Sequence, residues 1–485
     1  MQFNSYIFIL LFLPCFVSAY FLLNKLSALA GKFVIIVAGV VFYLYAGAKV
    51  AIVLGVSIVA NLLLSLIIEK NERGGGTKLI LALSIILNIS LLFFYKYSNF
   101  AITTINDILG KEKFTLHKII LPLGISFFSF QQIMYLVSVY KKEFEKVNVV
   151  DYLAYILYFP KLIMGPLTDA KELITQINNS ELKKFNIENF AIGLKLFSLG
   201  LFKKMLLADT FAKGVSWGFA NLKIATSLDL ILVTLFYTFE IYFDFSGYSD
   251  MAVGISKMVN ITLPINFDSP YKALSIRDFW KRWHVSLTNF LTKYIYFPLG
   301  GSRKGTVRTY INIMIVFLVS GIWHGANWTF ILWGCIHGAL QVFERIFGAK
   351  DKDDNSAAKW IYTFLMINIL WLLFRAESIA QWVNIMKKIV TFKNMGISGG
   401  LINSFILPET TFIVEQLKLV RFNNAIRGFS MVVFLAFSFF ICLVPENNYR
   451  SSKKLGIISM AFCAVAFVWA FLCLSAESVF VYFNF

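Results

Sequence analysis

The sequence predicts an all-helical, polytopic membrane protein, and three observations carry that prediction. Of the 485 residues, 58% are hydrophobic and the mean hydropathy is +0.71, whereas soluble domains are about 45–50% apolar. Charged residues make up 15% of the chain, where roughly 25% is usual. Apolar runs of spanning length recur along the whole sequence. Together these exclude a soluble globule, a disordered chain and a coiled coil.

Tyr6–Leu23 comes first. Its Ile7 to Phe16 stretch resembles a signal-peptide core, and Val17-Ser18-Ala19 has the small residues of a cleavage site. However, Met1 to Tyr6 carries no Lys or Arg, so the basic flank is missing and a retained first helix is expected. Phe33–Gly47, Ala51–Ile68, Leu79–Tyr95, Leu121–Tyr140 and Tyr152–Gly165 follow. After them come Phe190–Leu207, Leu228–Phe245, Ile311–Trp323, Trp328–Val342, Trp360–Leu373, Met431–Val444 and Leu455–Phe471. Several are short for a straight crossing, so roughly eleven to thirteen segments are expected, some tilted, broken or re-entrant. Glu377 to Gly428 has no clean span and reads as surface helices on one membrane face. Gly74-Gly75-Gly76 is a flexible connection, since no GK[ST] follows it. Asp351 to Asp354 reads as a solvated loop. No internal repeat is visible.

Charge sets the expected orientation. Lys25/Lys32, Lys70/Arg73/Lys78 and Lys141/Lys142/Lys146 fall in alternate early connections. The positive-inside rule makes that side cytosolic and puts the N-terminus outside. The net charge of +18 therefore reads as a topology signal and not as nucleic-acid binding. Cys15, Cys335, Cys442, Cys463 and Cys473 are scattered with no CxxC pair. They read as small packing residues, not a disulfide framework.

One stretch breaks the pattern. Pro264 to Arg308 is polar and aromatic yet flanked by spans. Such backbone persists at membrane depth only when buried in protein or lining a wet cavity; the alternative is a cytosolic loop carrying an interfacial helix. Trp280, Trp283 and His284 cluster beside Arg277, Lys281 and Arg282, a mixture suited to holding a charged ligand near an apolar cavity. His324 ends an apolar run in SGIWHGANW (320–328), and an ionisable residue within a span is a candidate functional site. Gly321 and Gly325 would let another backbone or a ligand approach it. Asn327 and Trp328 would share its face if the segment were helical. His337 lies about 220° around a continuous helix from His324 and reads as structural, and His117 as solvated. Asp244 and Asp250 either carry protons or are hydrogen-bonded structure. Metal binding is not expected, because the histidines are not at ligand spacing and lack cysteine partners.

Seven motifs in order resemble the membrane-bound O-acyltransferase family. They are LPLGISFFSFQ (121–131), FPKLIMGP (159–166), YFDFSGYSDMAVG (242–254), the run from Asn266 to Gly305, SGIWHGANWTFILWG (320–334), LLFRA (372–376) and FVYFNF (480–485). The branch looks like the membrane subunits of bacterial alginate and peptidoglycan O-acetylation systems. Ser138 stands where the family often has Asp, and Leu167-Thr168-Asp169 where a basic residue is common.

The resemblance implies a helical ring around a central funnel, formed as one domain over 1–485 with a catalytic core at about 121–345. It implies His324 as the catalytic residue, with His284 beside it. The implied donor is cytosolic acetyl-CoA, with no tightly bound cofactor. Arg277, Trp280, Lys281, Arg282, Trp283, Arg303, Lys304, Arg308, Asn327 and Trp328 are the expected substrate-binding residues. The implied partners are membrane lipid, an extracytoplasmic SGNH-type acetyltransferase and a polysaccharide acceptor. The implied location is the bacterial inner membrane. D-alanyl transfer, lipid acylation and precursor transport without chemistry are the rival readings.

Overall fold

Helices that can bury all their own backbone polar groups dominate the computed structural model, as a hydrocarbon environment requires. It describes residues 1–72, 74–347, 357–405, 407–418, 422–451, 455–475 and 480. Arg73, Asp351–Asp354 and the terminal motif beyond Phe480 lie outside the described residues. Among the described residues there is no strand, only an isolated antiparallel bridge between Phe267 and Trp283.

Seven described helices are long and apolar enough to cross a membrane: Phe8–Leu26, Ala48–Lys70, Gly75–Leu109, Thr306–His324, Trp328–Phe347, Ala357–Arg375 and Asn423–Leu443. Ala28–Leu44, Ile125–Tyr140 and Ile457–Leu472 are apolar but shorter. Their outward faces carry large exposed apolar side chains, including Leu10, Ile52, Val56, Leu365 and Val432, as contact with lipid tails demands. The chain is thus an all-α, multi-pass membrane protein. The stretch after Glu377 forms short helices, Ile379–Val390, Gly399–Asn403 and Pro408–Gln416.

Two compact units emerge. One comprises Met1–Leu199, Tyr248–Ile265 and Ser452–Ala464. Within it, Asn61 and Asn88 exchange side-chain amide hydrogen bonds between two spanning helices, at 3.2 and 2.7 Å. Buried Lys161 donates to Gln131 Oε1 at 2.6 Å and lies over the Tyr155 ring. Both contacts supply polar partners where water is excluded.

The other unit comprises Gly200–Gly247, Asn266–Ser451 and Val465–Phe485. Its core is aromatic, built around Phe211, Phe239, Phe279, Trp283, Trp333 and Trp371. The helices Thr306–His324 and Trp328–Phe347 form a hairpin whose backbones nearly touch. A Cβ on Gly321 would lie 2.3 Å from the Phe330 carbonyl oxygen, and one on Gly334 2.4 Å from that of Phe317. The polar stretch after Asn266 packs into this core: Trp283 and His284 are wholly buried.

Candidate active site

His284 sits between two short helices, Ile276–Arg282 and Val285–Leu291. Its backbone is left-handed, φ 45° and ψ 50°, a conformation uncommon outside glycine but one that histidine adopts more readily than most side chains. The strand-like pairing on either side enforces it. Asp268 N–H donates to the Arg282 carbonyl at 2.9 Å, and Val285 N–H to that of Asn266 at 3.0 Å. Asn266 also accepts from the Ser286 hydroxyl at 2.6 Å. The tight turn throws the imidazole inward.

His324 is the last residue of the Thr306–His324 helix, which Gly325 ends in extended backbone. The two histidines, from different elements, come together with ring centroids 6.5 Å apart. Aromatic edges and faces enclose them. Phe245 meets His284 at 4.8 Å, nearly perpendicular. Trp323, Trp333 and Phe374 meet His324 at 5.0, 5.2 and 5.3 Å. His284 is fully buried and His324 is 4% exposed. His284 lies outside the spanning helices, and its burial pushes its pKa down to about 3, which leaves a neutral ring. A neutral imidazole can accept a proton or donate one hydrogen bond.

The other expected site residues divide. Trp283 packs behind His284, against Phe267 and Trp371. Trp280 turns to His337, donating its indole N–H to Nδ1 at 3.1 Å. Arg282 makes a two-bond contact with Asp278, at 2.9 and 3.0 Å. Arg277, Lys281, Arg303, Lys304 and Arg308 are exposed. Arg277 and Ile276 give their backbone N–H groups to Glu344.

Asn327 and Trp328 do not share a helical face with His324, because the helix has already ended. Asn327 instead caps the next one: its Oδ1 accepts from Thr329 N–H at 3.0 Å and its Nδ2 donates to the Glu377 carbonyl. Trp328 is 51% exposed. The space beside Gly321 is taken by the Phe330 backbone and that beside Gly325 by the Phe330 ring, so both glycines serve close packing. His117 is exposed.

Sequence reasoning passed over the walls, Phe245, Trp333 and Phe374, although each lies within a recognised motif. It also passed over a buried charge cluster. Lys204 bonds Asp244 at 2.7 Å and Asp209 at 2.8 Å. The available signal was two adjacent lysines inside the apolar run LFKKMLLADTF (201–211). Asp244 is therefore ion-paired, while Asp250 is buried in the other unit.

A family model, described as the membrane-bound O-acyltransferase family, matches residues 76–386. The chain is 36% identical to a peptidoglycan O-acetyltransferase of Helicobacter pylori, covering 100% of this chain and 97% of that protein. It is 37% identical to a probable alginate O-acetylase of Pseudomonas putida, over 78% of each chain. A teichoic acid D-alanyltransferase of Streptococcus thermophilus is 26% identical over 49% of this chain and 60% of that one.

Proposed function

Since the chain belongs to the membrane-bound O-acyltransferase family and is an acyltransferase, we propose that it takes acetyl from cytosolic acetyl-CoA and delivers it across the bacterial inner membrane. The final acceptor in this reading is an extracytoplasmic polysaccharide, peptidoglycan or an alginate-like polymer. A partner transferase of the SGNH type completes the delivery. The observation that carries the chemistry is the juxtaposition of His284 and His324 inside an aromatic shell. The acceptor class rests on the relatives. The match to the peptidoglycan enzyme spans the whole chain, whereas the D-alanyl relative matches about half, which favours acetyl transfer to a glycan.

In the mechanism, a hydroxyl oxygen attacks the thioester carbonyl carbon while His324 takes the hydroxyl proton. The neutral His284 ring donates a hydrogen bond to the oxygen that gains charge. The tetrahedral adduct then breaks its carbon–sulfur bond, and the coenzyme A thiolate recovers the proton from His324. Water is kept out by Trp323, Trp333, Phe245 and Phe374, so the electrostatic terms act in a low dielectric. In this reading the exposed cations Arg277, Lys281, Arg303, Lys304 and Arg308 attract the coenzyme A phosphates.

His324→Ala tests the reading. With matched protein levels, polymer-bound acetate should fall by roughly 10²- to 10⁴-fold, the usual worth of a general base. Near wild-type acetate would sink the assignment.

A further inference from the structure

We infer that Lys204 centres a buried electrostatic latch that holds the aromatic walls of the histidine pair, making Lys204, Asp244 and Gly247 positioning residues for the transfer. The inference rests on the reading of His284 and His324 as the reacting pair.

Lys203–Ala208 is a π-helical turn. Its wider winding turns both Lys203 and Lys204 inward, 8% and 1% exposed. Such turns recur at functional sites. Lys204 Nζ lies 2.7 Å from Asp244 and 2.8 Å from Asp209, and Asp244 is fully buried. Buried Glu240 feels the charges of Asp244, Arg375, Lys204 and Asp209. Glu240, Asp244 and Gly247 lie on one face of the Ser227–Met258 helix. Gly247 makes the approach possible: a Cβ there would lie 2.7 Å from the Gly200 carbonyl oxygen and 3.2 Å from Lys204 N.

The cluster adjoins the first wall along the chain and reaches the second through the charge of Arg375 on Glu240. Phe245, which follows Asp244, is the ring against His284. Phe374, which precedes Arg375, is the ring against His324. Arg375 itself stacks on Phe219 at 4.4 Å. Direct ion pairs thus hold the rotation of the Ser227–Met258 helix, which carries Phe245, while the charge of half-buried Arg375 acts on Glu240 from the end of the Ala357–Arg375 helix, which carries Phe374. Rotating either helix moves an aromatic ring off its histidine.

The test compares Gly247→Ala, Lys204→Met and Lys204→Arg in the purified full-length protein. The first readout is the rate at which diethyl pyrocarbonate labels each histidine, followed by peptide mass. The second is kcat and KM for acetyl-CoA. Gly247→Ala and Lys204→Met should speed labelling of His284 and His324 several-fold and leave His337 unchanged. They should lower kcat by roughly tenfold or more, within the 10²-fold that a 1 Å misplacement can cost, with KM little altered. Lys204→Arg should restore both readouts. Should Lys204→Met fail to accumulate, Gly247→Ala decides, because it removes no charge partner.

Unchanged labelling of His284 and His324 in Gly247→Ala overturns the latch. Equal acceleration at all three buried histidines means general loosening and overturns it too. A rise in KM with kcat held reassigns the cluster to donor binding, with the same consequence. A wild-type protein that does not turn over acetyl-CoA sinks the donor reading instead, and the labelling still decides the latch.

Discussion

The indole nitrogen of Trp280 donates to Nδ1 of His337 at 3.1 Å, and both side chains are buried. Phe317 stacks on His337 and meets Trp280 edge to face, and Trp333 meets both edge to face. This hydrogen bond ties the Ile276–Arg282 helix to Trp328–Phe347 and so supports the turn that carries His284. Trp280→Phe keeps a smaller aromatic ring but strands a buried acceptor, at a cost of about 1–3 kcal/mol plus that of the lost ring volume. The melting temperature in detergent should fall while the acetyl-CoA dependence stays put. A raised KM at full stability would move Trp280 into the donor site.

His284 needs left-handed backbone as well as an imidazole. Asn tolerates that conformation and a β-branched residue does not. His284→Asn should therefore accumulate like the parent protein yet transfer much less acetate, whereas His284→Val should accumulate poorly. Equal accumulation of the two variants, followed by immunoblotting, would show that the turn exerts no such constraint.

At the hairpin seam, a methyl group on Gly321 would collide with the Phe330 carbonyl at 2.3 Å. The contact is backbone on backbone, so no flexible side chain can give way. Gly321→Ala should cost about 1–3 kcal/mol, the usual range for overpacking, and should reduce transfer by shifting His324. Thermal unfolding and acetate release, measured together, check both parts.

The exposed cations should act through charge alone. Lys281→Glu or Arg303→Glu should raise the KM for acetyl-CoA. The difference from wild type should shrink as salt rises, because exposed charges are screened beyond about 10 Å at 0.1 M. Arg282→Glu should behave differently, since Arg282 is already bonded to Asp278 and reversal sets two carboxylates together. A KM indifferent to Lys281 and Arg303 would reduce those residues to a topology signal.

Passage of the acetyl group without its carrier is the last expectation. Coenzyme A carries several charges, and each is costly in hydrocarbon. In sealed vesicles given doubly labelled acetyl-CoA on the cytosolic face, the acetyl label should reach an acceptor inside while the coenzyme label stays out. Entry of both labels would refute the relay.

Much of this was legible in the sequence, for physical reasons. Helical type follows from apolar run length, because the bilayer allows few alternatives. The number of spans does not: roughly eleven to thirteen segments are expected, and seven described helices are long and apolar enough to cross. The run Tyr152–Gly165 breaks into the short helices Val149–Ile156 and Phe159–Leu162. His324 stood out as an ionisable residue at the end of a span, and His284 through its motif. What could not be read were relations between distant residues. Asn327 and Trp328 look like neighbours of His324 only if the helix continues, and Gly325 stops it. Trp280 looks like a ligand residue until His337 Nδ1 is seen to accept its hydrogen bond. Lys204 and Asp244 lie 40 residues apart in separate apolar runs, and only the close approach at Gly247 reveals them as partners.

The glycine seam of the Thr306–His324 and Trp328–Phe347 hairpin bears on mutational tolerance. Where two helices meet through backbone, almost no substitution is neutral, since every other residue is larger than glycine. Ile322 and Trp328 are exposed beside the seam and should be exchangeable for other apolar residues. A saturation library over 317–338 should accordingly split into two classes. Gly321 and Gly334 should accept nothing, Gly338 should accept alanine where the Met314 side chain gives way, and the outward positions should accept almost any hydrophobic residue, so the setting of His324 against the second helix is written in the residues that have no side chain.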